Sequence, residues 1–178
     1  MIEIRFQGRG GQGVVVASEI LSRACFEEGR YPQCFSVFGG ERRGAPVASF
    51  IRISDEKIYL KCDIDRPGHL VFFDSSLFDE KRISEQITLG GVLLLNTDEV
   101  CQFGALGDLK VGQINALEIS KKNGLGSIVN TAILGAYVRL TQIVGLESLL
   151  KVIEKTVPAA TAQNVAAANE AYEKLSII

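Results

Sequence analysis

The sequence predicts a three-layer α/β/α sandwich around a mostly parallel, mixed central sheet, built as a single domain over residues 1–178. Three observations predict it. Short apolar runs of strand length alternate with helix-length segments, the pattern of an α/β fold. The first of these runs passes through Gly8, Gly10, Gly11 and Gly13 straight into an amphipathic segment, a strand–turn–helix unit. Two runs at 47–53 and 57–61, joined by "SDE", read as an antiparallel hairpin, which makes the sheet mixed. No linker, repeat or low-complexity tract divides the chain.

Each element follows from its own pattern. Ile2, Ile4 and Phe6 alternate with polar residues, as in a half-buried strand. The next helix has apolar positions 14, 17, 21, 24 and 25, with Ser18, Glu19, Ser22, Arg23 and Glu27 opposite, and Gly29 is placed to stop it. "CFSVFGG" is a second strand or extended segment. "HLVFFD" (69–74) and "GVLLLN" (91–96) are buried strands, with a short helix over 77–87 between them. Residues 109–116 form a weaker strand. Residues 130–144 are apolar on nearly every side and predict a buried helix, N-capped by Asn130-Thr131. "LESLLKVIEKTV" is an amphipathic helix ended by Pro158. "TAQNVAAANEAYEKL" is an alanine-rich helix with Val165, Ala168, Tyr172 and Leu175 on one face. The small and apolar surfaces of this last third have two readings: the domain's own core, or packing against another subunit.

Composition narrows the function classes. Hydrophobic residues make up 47% of the chain, which argues against disorder. A net charge of -2 gives no bulk attraction to nucleic acid or to anionic membrane. No apolar run approaches the ~20 residues of a membrane span. The N-terminus reads as a strand and not as a signal peptide. Cys25, Cys34, Cys62 and Cys101 show no C-x-x-C spacing, which predicts buried, reduced thiols in a cytoplasmic protein and no zinc or iron–sulfur site in this chain.

The motif question centres on two glycine-rich loops. Gly8-x-Gly10-x-x-Gly13 fits a dinucleotide fingerprint, and its N–H groups with the helix N-terminus can receive a phosphate or another anion. Arg9 and Gln12 lie inside it. A Rossmann site wants an acid roughly 20 positions on, at the end of the second strand. That strand leads instead into a second loop, "FGGERRGAP", with Gly39, Gly40, Glu41, Arg42, Arg43 and Gly44. Adjacent arginines suit a phosphate or carboxylate, a NADP 2′-phosphate included. A solvated charged turn and a subunit contact are the other readings. Asp63, Asp65 and Asp74 invite a magnesium site, but their expected role is capping turns and helix starts. His69, the single histidine, opens a strand and reads as structural.

Taken together, "GRGGQG" and "FGGERRGAP" resemble the gamma subunit of the 2-oxoacid:ferredoxin oxidoreductases, of the pyruvate and ketoisovalerate type. "DIDRPGHLVFFD", "GGVLLLNTDE" and "NTAILGAYVRLTQIVGLESLLKVI" resemble further blocks of that family, so the resemblance spans essentially the whole chain. One departure is Pro67-Gly68, where the family often shows Pro-Asp. The resemblance implies a chain without cofactor of its own and inactive alone. Thiamine diphosphate, magnesium and [4Fe–4S] clusters would sit on alpha, beta and ferredoxin-like delta partner subunits, coenzyme A would be a co-substrate, and ferredoxin would take the electrons. The two loops, Gly8–Gly13 and Gly39–Gly44, would lie at one edge of the domain and face a cofactor or those partners. The competing reading is a free-standing NAD(P)-binding Rossmann-like oxidoreductase.

Overall fold

The computed structural model describes residues 1–38, 44–99 and 107–178, and its sheet grows out of the N-terminal alternation. In strand β1 (Ile2–Arg9), Ile4 and Phe6 are fully buried, while the residues between them project from the opposite face. Helix α1 (Val14–Glu27) follows, then strands β2 (Tyr31–Phe38), β3 (Pro46–Ser54) and β4 (His69–Phe72). A 3₁₀ turn (Ser75–Leu77) and helix α2 (Glu80–Gln86) lead to strands β5 (Val92–Asn96) and β6 (Lys110–Ile114). The chain closes with helices α3 (Ala116–Lys122), α4 (Asn130–Thr141), α5 (Leu146–Thr156) and α6 (Thr161–Lys174) and the short strand β7 (Ser176–Ile177).

The strands lie in the order β2-β3-β1-β4-β5-β6-β7. β1, β4, β5 and β6 pair in parallel, whereas β3 runs antiparallel to both β1 and β2, and β7 antiparallel to β6. The α/β class and the mixed sheet are as the sequence predicts. The two helical layers are unequal. One apolar cluster gathers the inner face of β1 and β3 with α1, α3, α4, α5 and α6. The other is small: Ile83 and Ile87, in and just after α2, cover Leu70, Phe72, Leu93, Leu95 and Val111. Each fully buried Ile, Leu or Phe in such a cluster contributes about 1.5–3 kcal/mol, so the thick layer carries most of the stability.

Within the thick layer α4 and α6 are in closest contact. A Cβ at Gly135 would fall on the backbone carbonyl of Ala168. Ala167, Ala168 and Ala171 are buried there, which places them in the domain's own core, while Ala159, Ala160, Ala162 and Ala166 are exposed. His69 fits its structural reading: its Nδ1 lies 2.6 Å from the buried Tyr137 hydroxyl, and burial lowers its pKa to about 4.

Four expectations need correction. Residues 57–61 form no strand, because both edges of β3 are taken, by β1 and by β2; the hairpin is β2–β3. Asn130 and Thr131 do not cap α4 from outside. They lie in its first turn, where Asn130 Oδ1 accepts from the Thr131 N–H and Thr131 Oγ1 donates to Asn164. The helix expected over 77–87 is split into the 3₁₀ turn and α2, each started by an aspartate side chain, Asp74 and Asp79. Finally, the thiols are not uniformly buried. Cys25 is enclosed, and burial pushes it up to about 12, but Cys62 is exposed on the loop after β3. Cys101 lies outside the described residues.

Candidate functional site

The chain winds from β1 outward to β3 and β2, then returns to β4, β5 and β6 on the other side. Such a switch point opens a crevice beyond the carboxyl ends of the parallel strands. The first glycine loop stands at its mouth. Gly13 takes φ +81 at the N-cap of α1, and a Cβ there would meet the Asn130 side chain at 2.8 Å. Gly8 is needed for a different reason, since a Cβ would meet Val14 at 2.6 Å and Phe73 at 2.8 Å. One glycine permits the turn and the other lets strand and helix close on each other.

Gly44 and Ala45, which end the second loop, lie directly against the first. The Gly10 N–H donates to the Ala45 carbonyl at 2.9 Å, and the Gly44 N–H donates to the Gly10 carbonyl at 3.2 Å. These two bonds continue the β1–β3 ladder, whose last pair is Arg9 with Pro46. Gly39, Gly40, Glu41, Arg42 and Arg43 lie outside the described residues.

Arg9 meets an anion of its own chain. Its Nε donates to Asp74 Oδ2 at 3.2 Å, a second nitrogen to Ser76 Oγ at 2.9 Å and a third to the Gly44 carbonyl at 3.2 Å. Gln12 Oε1 accepts from the Arg9 N–H at 2.7 Å, and Gln12 Nε2 donates to Asp74 Oδ2 at 3.3 Å. The other Asp74 oxygen accepts from the Ser76 N–H and hydroxyl. Burial pushes the Asp74 carboxyl up, but Ser76, Arg9 and Gln12 outweigh it and hold the pKa below the usual value. Asp74 is thus a cap and a tie between loops. Asp63 and Asp65 are exposed, and Asp63 contributes its carbonyl to Arg52.

Two adjoining cavities lie behind the first loop. One of about 210 Å³ is lined by Gln12, Asp74, Asn96 and Asn115, among others. The other, about 260 Å³, is lined by Gly10, Gly11, Gln12, Asn96, Ser127 and Val129, among others. Asn96 braces the cleft: its Nδ2 donates to the Phe73 carbonyl and its Oδ1 accepts the first N–H of α3. Asn115 escaped the sequence reading, as did α3. The signal for α3 is Asn115-x-x-Glu118, a reciprocal cap in which each side chain serves the other residue. The cleft offers backbone N–H groups and amides, chemistry for binding an anion or a partner. Among the described residues no three His, Cys, Asp or Glu side chains gather to hold a metal.

Comparison with known proteins shows the family. The family model described as pyruvate ferredoxin/flavodoxin oxidoreductase matches residues 3–174. The chain is 44% identical to pyruvate synthase subunit PorC of Methanothermobacter marburgensis, over 98% of both chains. It is 42% identical to the pyruvate/ketoisovalerate oxidoreductases common subunit gamma of Thermococcus kodakarensis, over 98% of this chain and 97% of that one. The crystal structure of pyruvate oxidoreductase subunit PORC from Thermotoga maritima superposes with a TM-score of 0.87 at 35% identity, covering 99% of this chain and 97% of the other. These similarities do not support the reading as a free-standing NAD(P)-binding oxidoreductase.

Proposed function

The chain belongs to the pyruvate ferredoxin/flavodoxin oxidoreductase family, as a gamma subunit, and from that premise we propose how its enzyme works and what this chain supplies. The enzyme oxidatively decarboxylates pyruvate or a related 2-oxoacid, transfers the acyl group to coenzyme A and passes the electrons to ferredoxin, in the cytoplasm. Thiamine diphosphate, magnesium and [4Fe–4S] clusters belong to alpha, beta and ferredoxin-like delta partners. The described residues do not fit those groups: Cys25 is locked in the core, and no three His, Cys, Asp or Glu side chains gather to hold a metal. No reaction step is assigned to it.

Its contribution is the edge formed by the two glycine loops, Gly8–Gly13 and Gly39–Gly44, facing coenzyme A or the partner subunits. The observation that supports this reading is the backbone clip between Gly10 and Gly44–Ala45, which joins the two loops at their bases. Because Asp74 neutralises Arg9, the anion contact falls to Arg42 and Arg43. The test is reconstitution with the partner subunits and viologen reduction by pyruvate and coenzyme A. Arg42→Ala and Arg43→Ala should weaken assembly or raise the coenzyme A requirement while the isolated chain stays folded. The isolated chain should give no turnover. Variants that assemble and turn over like the parent reduce the arginine loop to a solvated turn, and turnover by the chain alone refutes the subunit reading.

A further inference from the structure

On the thin side of the molecule, one row of side chains crosses the sheet. The strand registers set Phe35 of β2, Phe50 of β3, Arg5 of β1, Leu70 of β4, Leu93 of β5 and Val111 of β6 side by side. The last three lie in the small apolar cluster under α2. The two phenylalanines belong to neither apolar cluster. Their rings stack on each other, centroids 5.2 Å apart and planes 15° from parallel. Val37, next along β2 on the same face, is 54% exposed. This half of the face has no helical layer among the described residues: the loop after β3 covers its Gln33–Arg52 end, and Phe35 and Phe50 remain half-buried.

Arg5 stands at the boundary between the covered and the open half. One guanidinium nitrogen donates to Gln86 Oε1 at 3.2 Å. Its Nε is buried and has no acceptor. No described carboxylate pairs with it: Glu3, two residues away on the same face, is held by Arg52 at 2.8 Å. Burial pulls the Arg5 pKa down, as expected for a cation stripped of water without a counter-ion. Such a group costs stability until a carboxylate reaches it.

We propose that the open half of this face, Phe35, Val37, Phe50 and Arg5, is the docking surface for another subunit of the enzyme, one that seats apolar side chains on the phenylalanine pair and delivers a carboxylate to Arg5. Arginine and aromatic residues are the types enriched where protein interfaces are driest. Arg52, 5.9 Å over the Phe35 ring, already holds Glu3, so Arg5 beside Phe50 is left as one unpaired cation. Such a cation suits a carboxylate on a protein better than a phosphate, which gathers several cations. A second copy of this chain does not fit. A two-fold axis through Arg5 would set the two arginines against each other, and Glu3 beside them is held by Arg52. The inference rests on the reading of the chain as a subunit, but its residues lie outside the two glycine loops.

The experiment compares the parent chain with Arg5→Met and Phe50→Ser. Each is melted alone, then titrated as the tagged chain into enzyme assembled from the partner subunits. Arg5→Met should melt at or above the parent's temperature, because it removes a stranded cation. It should bind the partners roughly 30-fold more weakly or worse, the loss typical of truncating one member of a buried charge pair. Phe50→Ser should also weaken binding. Arg5→Met that binds like the parent overturns the proposal, and so does Arg5→Met that melts well below it, since Arg5 would then serve the chain's own fold. If the parent itself binds no partner, the subunit reading fails, whereas a defect or its absence in the variants alone judges only the docking surface.

Discussion

Asp74→Asn exchanges one oxygen for an amide nitrogen at the point where the first glycine loop is tied to the end of β4. Asp74 Oδ1 accepts from the Ser76 N–H at 3.0 Å and from its hydroxyl at 2.6 Å, and an asparagine oxygen can keep both. Oδ2 accepts from Arg9 Nε at 3.2 Å and Gln12 Nε2 at 3.3 Å, and there the amide would set a donor against two donors. The Arg9 side chain is 38% exposed, so solvent screens the ion pair and its loss costs only about 0.5–1 kcal/mol. The misdirected donors add about 1–2 kcal/mol. The variant should therefore lose about 1.5–3 kcal/mol at pH 7, read by denaturant unfolding of the isolated chain. The pH dependence has a definite sign. The native Asp74 pKa lies below its ordinary value of 3.8, so its stabilisation is complete above 3.8 and drains away as the pH falls through the native value. Parent and variant should converge in acid. A difference at pH 7 below about 0.5 kcal/mol, within the spread of a surface pair, or one that persists undiminished in acid, would refute the account of the loop's anchorage.

Two further predictions concern the scaffold behind the site. Gly135→Ala would ordinarily stabilise a helix by up to ~1 kcal/mol, but here the new methyl falls on the Ala168 carbonyl and must push α4 from α6. A net loss of about 1–3 kcal/mol is expected, and a denaturation midpoint that rises instead would show the contact to be slack. For His69, burial lowers the native pKa from 6.5 to about 4, so below 6.5 the unfolded chain takes a proton that the native chain refuses. Stability should fall by roughly 2–3 kcal/mol between those values. His69→Gln should flatten that slope in a pH series of urea melts, and an unchanged slope would assign the acid sensitivity to other groups.

Most strands and helices were legible because their signals are local. The 2-residue alternation of Ile2, Ile4 and Phe6, the stop at Gly29 and the uniform apolarity of 130–144 depend only on neighbours along the chain. The glycine loop was legible for the same reason: Gly13 must take a left-handed conformation whatever surrounds it. Residues 57–61 misled because alternation marks strand potential and says nothing of whether an edge is free to pair.

Sequence alone determined the fold class, the strand–glycine–helix unit and the family, since these live in short-range pattern and in order along the chain. Tertiary structure decided what those residues meet. Arg9 reads as a free cation waiting for an anion until Asp74, 65 positions on, is found against it. Arg5 reads as one more polar residue of an alternating strand until the registers place it between Phe50 and Leu70, with a helix over one half of the face and none among the described residues over the other. Charge pairing and burial are properties of distance in space, and spacing along the chain carries no information about either until the strands have chosen their neighbours.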